Sequence, residues 1–207
     1  MATEIIITML NIDVNWCLTK NDIARMGVHR QVKINRLKGL ERQQSIALGY
    51  LIRQVLNYDE EKDISYSEFG QPQLKENDCF ISFTHGGVYA AVARANTPVG
   101  IDIEKIMPYN DLICKHYFNQ TEIDYVNNSL AKDRAFFEIW TRKESIMKAD
   151  GRGFGVSQDV INNVCDSQWV CKSYEFDNHL LTCVSQSEFE LTINKINLNK
   201  ENNGGKV

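Results

Sequence analysis

The chain predicts an α+β fold, and three observations carry that expectation. Hydrophobic residues alternate with a period of two through Val99-Gly100-Ile101-Asp102-Ile103-Glu104. They recur at helical spacing over residues 37–56 and again over residues 135–149. Each half of the sequence thus holds one long amphipathic helix and several short strand patterns, with a turn at Ala95-Asn96-Thr97-Pro98 between them.

Taken in order, residues 5–10 form an apolar run after Glu4 with no basic leader, so they read as a buried strand and not as a signal peptide. Leu37, Leu40, Ala47, Leu48, Leu51, Ile52 and Val55 place a helix over 37–56, ended by Asn57-Tyr58-Asp59. Residues 79–83 and 89–94 read as strands. In the next strand, Val99, Ile101 and Ile103 share one face, while Gly100, Asp102 and Glu104 share the other. Phe136, Phe137, Trp140 and Met147 define the second long helix, which Gly151-Arg152-Gly153 stops. Residues 168–174, 180–184 and 189–193 predict three more strands, and the polar, Gly-containing stretch from Asn197 predicts a frayed tail. The pattern therefore breaks near its midpoint, between residues 1–98 and 99–196, with 197–207 as tail.

At 207 residues the chain has room for one large domain or two small ones. Its hydrophobic content of 43% is enough for a core. A net charge of −4 argues against general affinity for nucleic acid or an anionic membrane. No apolar run approaches the ~20 residues that a membrane helix needs, so the expected location is cytoplasmic. Cys17, Cys79, Cys114, Cys165, Cys171 and Cys183 show no metal or redox spacing and read as free thiols.

Chemistry concentrates between Val99 and Lys148. Asp102 and Glu104 point the same way from their strand, and Glu144 continues the Phe136–Trp140 line of the helix at four-residue steps, with Lys148 four residues further. Two solvated acids on an edge strand and an i,i+4 surface pair would be the ordinary readings of these residues taken singly. A third acid beside a buried stripe, where a charge is costly unless paired or metal-bound, tips the balance. Three carboxylates with Lys143 and Lys148 suit a hard cation and a phosphate ester, and hence magnesium-dependent phosphoryl chemistry; no His or Cys set suits zinc. His85 ends a hydrophobic strand just before Gly86-Gly87, where backbone can approach a ligand closely. His29, His116 and His179 carry no such signal.

Val99-Gly100-Ile101-Asp102-Ile103-Glu104 followed by Trp140-Thr141-Arg142-Lys143-Glu144-Ser145-Ile146-Met147-Lys148 resembles the paired signature of the 4′-phosphopantetheinyl transferases, in the larger surfactin-synthetase-activating class. Phe83-Thr84-His85 is similar to that family's Ser-His phosphate contact, Phe69-Gly70-Gln71-Pro72 to its Gly-Lys-Pro element, and Phe118-Asn119-Gln120-Thr121-Glu122 to a Phe-x-x-x-Glu element. The likeness runs from roughly Arg30 to Phe154.

The resemblance implies two α+β subdomains related by a pseudo-twofold, with coenzyme A in the cleft between them. It implies a monomer that moves the 4′-phosphopantetheine arm of coenzyme A to a serine of an apo carrier protein (acyl or peptidyl) and releases adenosine 3′,5′-bisphosphate. Asp102, Glu104 and Glu144 would hold Mg2+, and Glu144 would also serve the nucleophile, directly or through a water. Lys148 and Lys143 would face the pyrophosphate, and Thr84 and His85 a phosphate. Arg30 and Lys33, from a basic cluster with Arg36, Lys38 and Arg42, would meet the 3′-phosphate with a hydroxyl from Ser45. Glu122 would join the metal or orient Lys148. Gln71 departs from the family's usual lysine and gives up a charge-assisted bond to phosphate. The rival is a catalytically silent coenzyme A or carrier-binding module of the same fold. Another magnesium phosphotransferase would want a P-loop, which the chain lacks.

Overall fold

The computed structural model describes residues 3–12, 18, 20–76, 79–152 and 169–198. Expectations for Cys17, Cys165, Gly153, Phe154, Gln168 and the tail from residue 199 lie outside them. The α+β class holds. The order is β1 (Thr3–Asn11), α1 (Lys20–Ala24), α2 (Val28–Arg36), α3 (Gly39–Tyr50), a π-helical turn (Leu51–Val55), β2 (Ile64–Tyr66), β3 (Pro72–Leu74), β4 (Phe80–Gly86), β5 (Tyr89–Ala95) and β6 (Val99–Lys105). It continues with α4 (Asp111–Tyr117), α5 (Gln120–Asn128), α6 (Lys132–Asp150), β7 (Val170–Phe176), β8 (His179–Ser185) and β9 (Phe189–Asn197).

Among the described residues the strands form three sheets: β4-β5-β1-β9, the small hairpin β2-β3, and β6-β8-β7. The strand β9 departs from the expected division at residue 98. It lies parallel to β1, from Thr3 opposite Phe189 to Asn11 opposite Asn197, so the last strand of the second half completes the sheet of the first. The halves also share a core. Ile5, Ile7 and Met9 on one face of β1 meet Ile101, Ile103 and Leu181, and Ala91 and Ala93 of β5 keep that contact close. The opposite faces of these strands pack Leu10, Ala90 and Val92 under α3.

β6 does not extend the ladder of β4. Instead the Ile101 and Ile103 N–H groups donate to Ser82 Oγ (3.1 Å) and Thr84 Oγ1 (3.3 Å), so two side-chain hydroxyls on β4 join the sheets. On its other side β6 carries α6. A Cβ on Gly100 would stand 1.8 Å from the Ser145 carbonyl oxygen and 2.7 Å from Ala149 N, so only glycine lets the helix sit this close. Thr141 and Ser145 secure it, the first sharing a 2.8 Å bond with Thr182 Oγ1 and the second donating to the Thr182 carbonyl at 3.0 Å. The helix ends where Gly151 takes φ 83°, with its N–H on Met147 O.

Gly100→Ala should cost about 1–3 kcal/mol, because backbone and not a flexible side-chain end must yield. Thermal unfolding should show a clear fall in midpoint. An unchanged midpoint would mean that α6 does not press on β6 as described.

Candidate functional site

Both halves line a cleft of about 590 Å³. α2 contributes His29, Arg30 and Lys33, and the turn before β3 contributes Phe69, Gly70 and Gln71. Thr84 and His85 come from β4, Asp102 from β6, and Glu144 and Lys148 from α6. The seam between the sheets thus forms the cleft floor.

Asp102 is the pivot. It is buried, and its Oδ1 accepts from Thr84 Oγ1 at 3.0 Å and from Lys148 Nζ at 2.7 Å. Lys148 also donates to the Ile101 carbonyl at 3.1 Å. The Asp102 Oδ2 atom is equally buried and has no hydrogen-bond partner. A buried oxygen of this kind is costly unless something else binds it. Burial first, then the Asp102 charge, and less strongly Glu144, push the Glu104 carboxyl up to about 7, against the pull of Lys148. Burial and Asp102 likewise raise Glu144, with Lys148 opposing. Among the described residues the three acids thus interact with one another and with Lys148, an electrostatic situation that a divalent ion relieves, although Glu104 itself does not line the cleft. Among the described residues no three His, Cys, Asp or Glu side chains are grouped closely enough to hold a metal ion as they stand. The orphaned oxygen and the mutual repulsion nevertheless fit a hard, oxygen-seeking ion that keeps part of its water shell.

His85 reaches the cleft from the exposed side of β4. Desolvation, then the Lys148 and Lys33 cations, hold its imidazole below the ordinary histidine range. Thr84 differs from expectation: its hydroxyl accepts from Ile103 N–H and donates to Asp102, so it orients the acid. Gln71 lines the cleft, but its Nε2 donates to Lys148 O at 3.0 Å, bridging the first half to the end of α6.

Other expectations are corrected. Lys143 does not line the cleft. It is buried on the far side of α6, paired with Glu122 Oε2 at 2.8 Å, donating to Tyr117 O at 3.0 Å and lying over the Phe118 ring. Glu122 accordingly serves neither a metal nor Lys148; it also closes the capping box of α5, where its side chain accepts from Asn119 N–H at 2.8 Å. The pattern Asn119-x-x-Glu122 was the sequence signal for that role. Ser45 is buried behind Arg30, 3.5 Å from Nη1, and is not part of the cleft wall. Arg30 reaches the cleft but pairs with Glu60, which sequence reasoning missed: Nε to Oε2 at 3.0 Å and Nη2 to Oε1 at 2.5 Å. The acidic run Asp59-Glu60-Glu61, opposite in charge to the Arg30 cluster, was the available signal.

Comparison with known proteins points to one family. Residues 98–194 match the model of the 4′-phosphopantetheinyl transferase superfamily. The chain is similar to the 4′-phosphopantetheinyl transferase Sfp of Bacillus subtilis, 29% identical over 165 residues, covering 67% of this chain and 72% of that protein. It is 36% identical over 107 residues to the 4′-phosphopantetheinyl transferase gsp of Aneurinibacillus migulanus, covering 50% of this chain and 44% of that one. A third relative, 4′-phosphopantetheinyl transferase psf-1 of Bacillus pumilus, is 29% identical over 123 residues, or 57% of this chain and 52% of its own length. The chain thus spans about half or less of the second and third relatives.

Lys143→Met should lower stability by about 3–5 kcal/mol, since it strands the buried Glu122 carboxylate. The Glu122→Gln, Lys143→Met pair should recover most of that loss. Denaturant unfolding of the single and double variants checks both statements, and a neutral single variant would return Lys143 to the cleft.

Proposed function

We propose that the chain is a 4′-phosphopantetheinyl transferase, an enzyme that moves the phosphopantetheine arm of coenzyme A to carrier proteins, and that Asp102, Glu104, Glu144 and Lys148 carry the reaction. The observation that carries this reading is Asp102, with one oxygen fixed by Thr84 and Lys148 and the other buried without a partner. Asp102, Glu104 and Glu144 would hold one magnesium ion, which when bound supplies charge stabilisation for the pyrophosphate.

The rest falls to the chain's own side chains. Lys148 lies between Asp102 and the open cleft, where a compact cation offsets charge gathering on the leaving phosphate. His85, beside Lys148, is placed to hydrogen-bond a phosphoryl oxygen. Glu144, whose carboxyl burial and Asp102 hold above the ordinary glutamate range, accepts the carrier serine proton, directly or through a water. The serine oxygen forms a bond to the phosphorus bearing the pantetheine arm, the bridging oxygen bond breaks, and adenosine 3′,5′-bisphosphate leaves. Lys33 and the Arg30 wall of α2 face the remaining anionic group of the donor, its 3′-phosphate.

The halves on either side of the Pro98–Val99 step act as paired subdomains that clasp coenzyme A, and β9 ties them together. No described helix is long and apolar enough to cross a membrane. We place the enzyme in the cytoplasm as a monomer, with neither nucleic acid nor membrane as partner.

Mass spectrometry of an apo carrier incubated with this protein, coenzyme A and magnesium should show addition of the phosphopantetheine arm. Glu144→Gln should slow the transfer by about 100-fold or more, the scale of a lost positioned base and metal charge. Its affinity for coenzyme A should change little. Turnover within a few-fold of the parent would remove Glu144 from the chemistry, and an unmodified carrier would favour the silent binding module.

A further inference from the structure

We propose that Glu60 sets donor specificity, by occupying the Arg30 guanidinium so that the cleft reads the 3′-phosphate weakly and this chain binds dephospho-coenzyme A nearly as well as coenzyme A. The inference rests on the coenzyme A reading above.

The donor carries two anionic groups, a pyrophosphate and a 3′-phosphate. The pyrophosphate holds the reacting phosphorus and belongs with Asp102, Glu144 and Lys148. The second group must then use the other cationic wall of the same cleft, which is α2. There the strongest anion receptor is already filled. Glu60 takes two guanidinium N–H groups of Arg30 in the forked geometry a phosphate would use, and Nη1 turns toward Ser45. The pair is well buried, with side-chain exposures of 7% and 14%. Tyr66 fixes it further by donating its hydroxyl to Glu60 Oε1 at 2.7 Å.

The charges fit this reading. Burial alone would raise the Glu60 carboxyl, but the Arg30 hydrogen bond and charge, with help from Tyr66 and Lys33, hold it below its ordinary range. Glu60 is therefore ionised at neutral pH and offsets Arg30 and part of Lys33. Nearby, Gln71 contributes a neutral amide already bonded to Lys148 O. A 3′-phosphate entering here gains little beyond the exposed Lys33 cation, whose field water and salt screen.

Calorimetric titration of coenzyme A and dephospho-coenzyme A against the parent and Glu60→Gln tests the idea without needing a carrier. The parent affinities should lie within about fivefold of each other, as a screened surface cation allows. Glu60→Gln should tighten coenzyme A about tenfold while leaving dephospho-coenzyme A unchanged, since the freed guanidinium gains a charge-assisted partner. Tyr66→Phe, which keeps the ion pair and only loosens Glu60, should move the ratio the same way by a smaller factor. It also serves if Glu60→Gln folds poorly. A parent preference of fiftyfold or more for coenzyme A, or a preference that falls in either variant, would overturn the proposal and make Glu60 a support for Arg30. Absence of binding by both donors would overturn the coenzyme A reading itself, which the carrier assay reports separately.

Discussion

The hydrogen bonds that converge on Asp102 Oδ1 hold the site together. Thr84 reaches it from the first half's sheet and Lys148 from the second half's long helix, while Asp102 itself sits on the strand between them. Each partner depends on a different packing constraint. Thr84 is aimed by the Ile103 N–H across the seam, and Lys148 by the close seating of α6 on Gly100. Shared apolar residues of β1, β5, β6 and β8 keep the two sheets in register behind this contact. A burial of charge at such a seam is tolerable because the hydrogen bonds satisfy one carboxylate oxygen, while the other is left over.

The cleft also divides its charges unevenly. Near the seam, negative charge exceeds what Lys148 can balance, and Glu104 and Glu144 respond by holding protons more tightly than a free carboxylate does. Along α2 the situation is reversed in sign but muted, because Arg30 is neutralised within the protein. On the proposed reading, a polyanionic donor in such a cleft would depend more on a bound cation at the acidic end than on side-chain cations at the other. That reading would couple recognition of the donor to the same groups proposed to act on it.

Local pattern in the sequence showed the strands and helices that build the seam. The alternation from Val99 to Glu104 became β6, and the 3.6 period around Trp140 became α6, because the apolar residues of each recur at the element's own period; both elements are buried on more than the apolar face that the pattern shows. The helix over 37–56 held as well, though its last turn widens to π geometry at Leu51–Val55. What escaped was whatever depends on distant partners. The parallel pairing of β9 with β1 joins residues nearly the whole chain apart, and no local signal specifies it. Lys143 and Lys148 lie five positions apart on one helix, yet one is buried against Glu122 and the other opens on the cleft; the helix rotation that separates them is fixed by Thr141, Ser145 and Gly100. Ser45 and Thr84 kept the expected chemical type but turned their hydroxyls to protein partners.

The central claim is that the Asp102 seam is a cation site completed by Glu104 and Glu144. Anomalous diffraction from crystals grown with manganese and coenzyme A tests it most directly. The account predicts one manganese peak coordinated by Asp102 Oδ2 and by carboxylate oxygens of Glu104 and Glu144, with the donor pyrophosphate against the same ion. A peak bound elsewhere in the cleft, or a seam in which Lys148 and water alone meet Asp102 while the donor is bound, would contradict it.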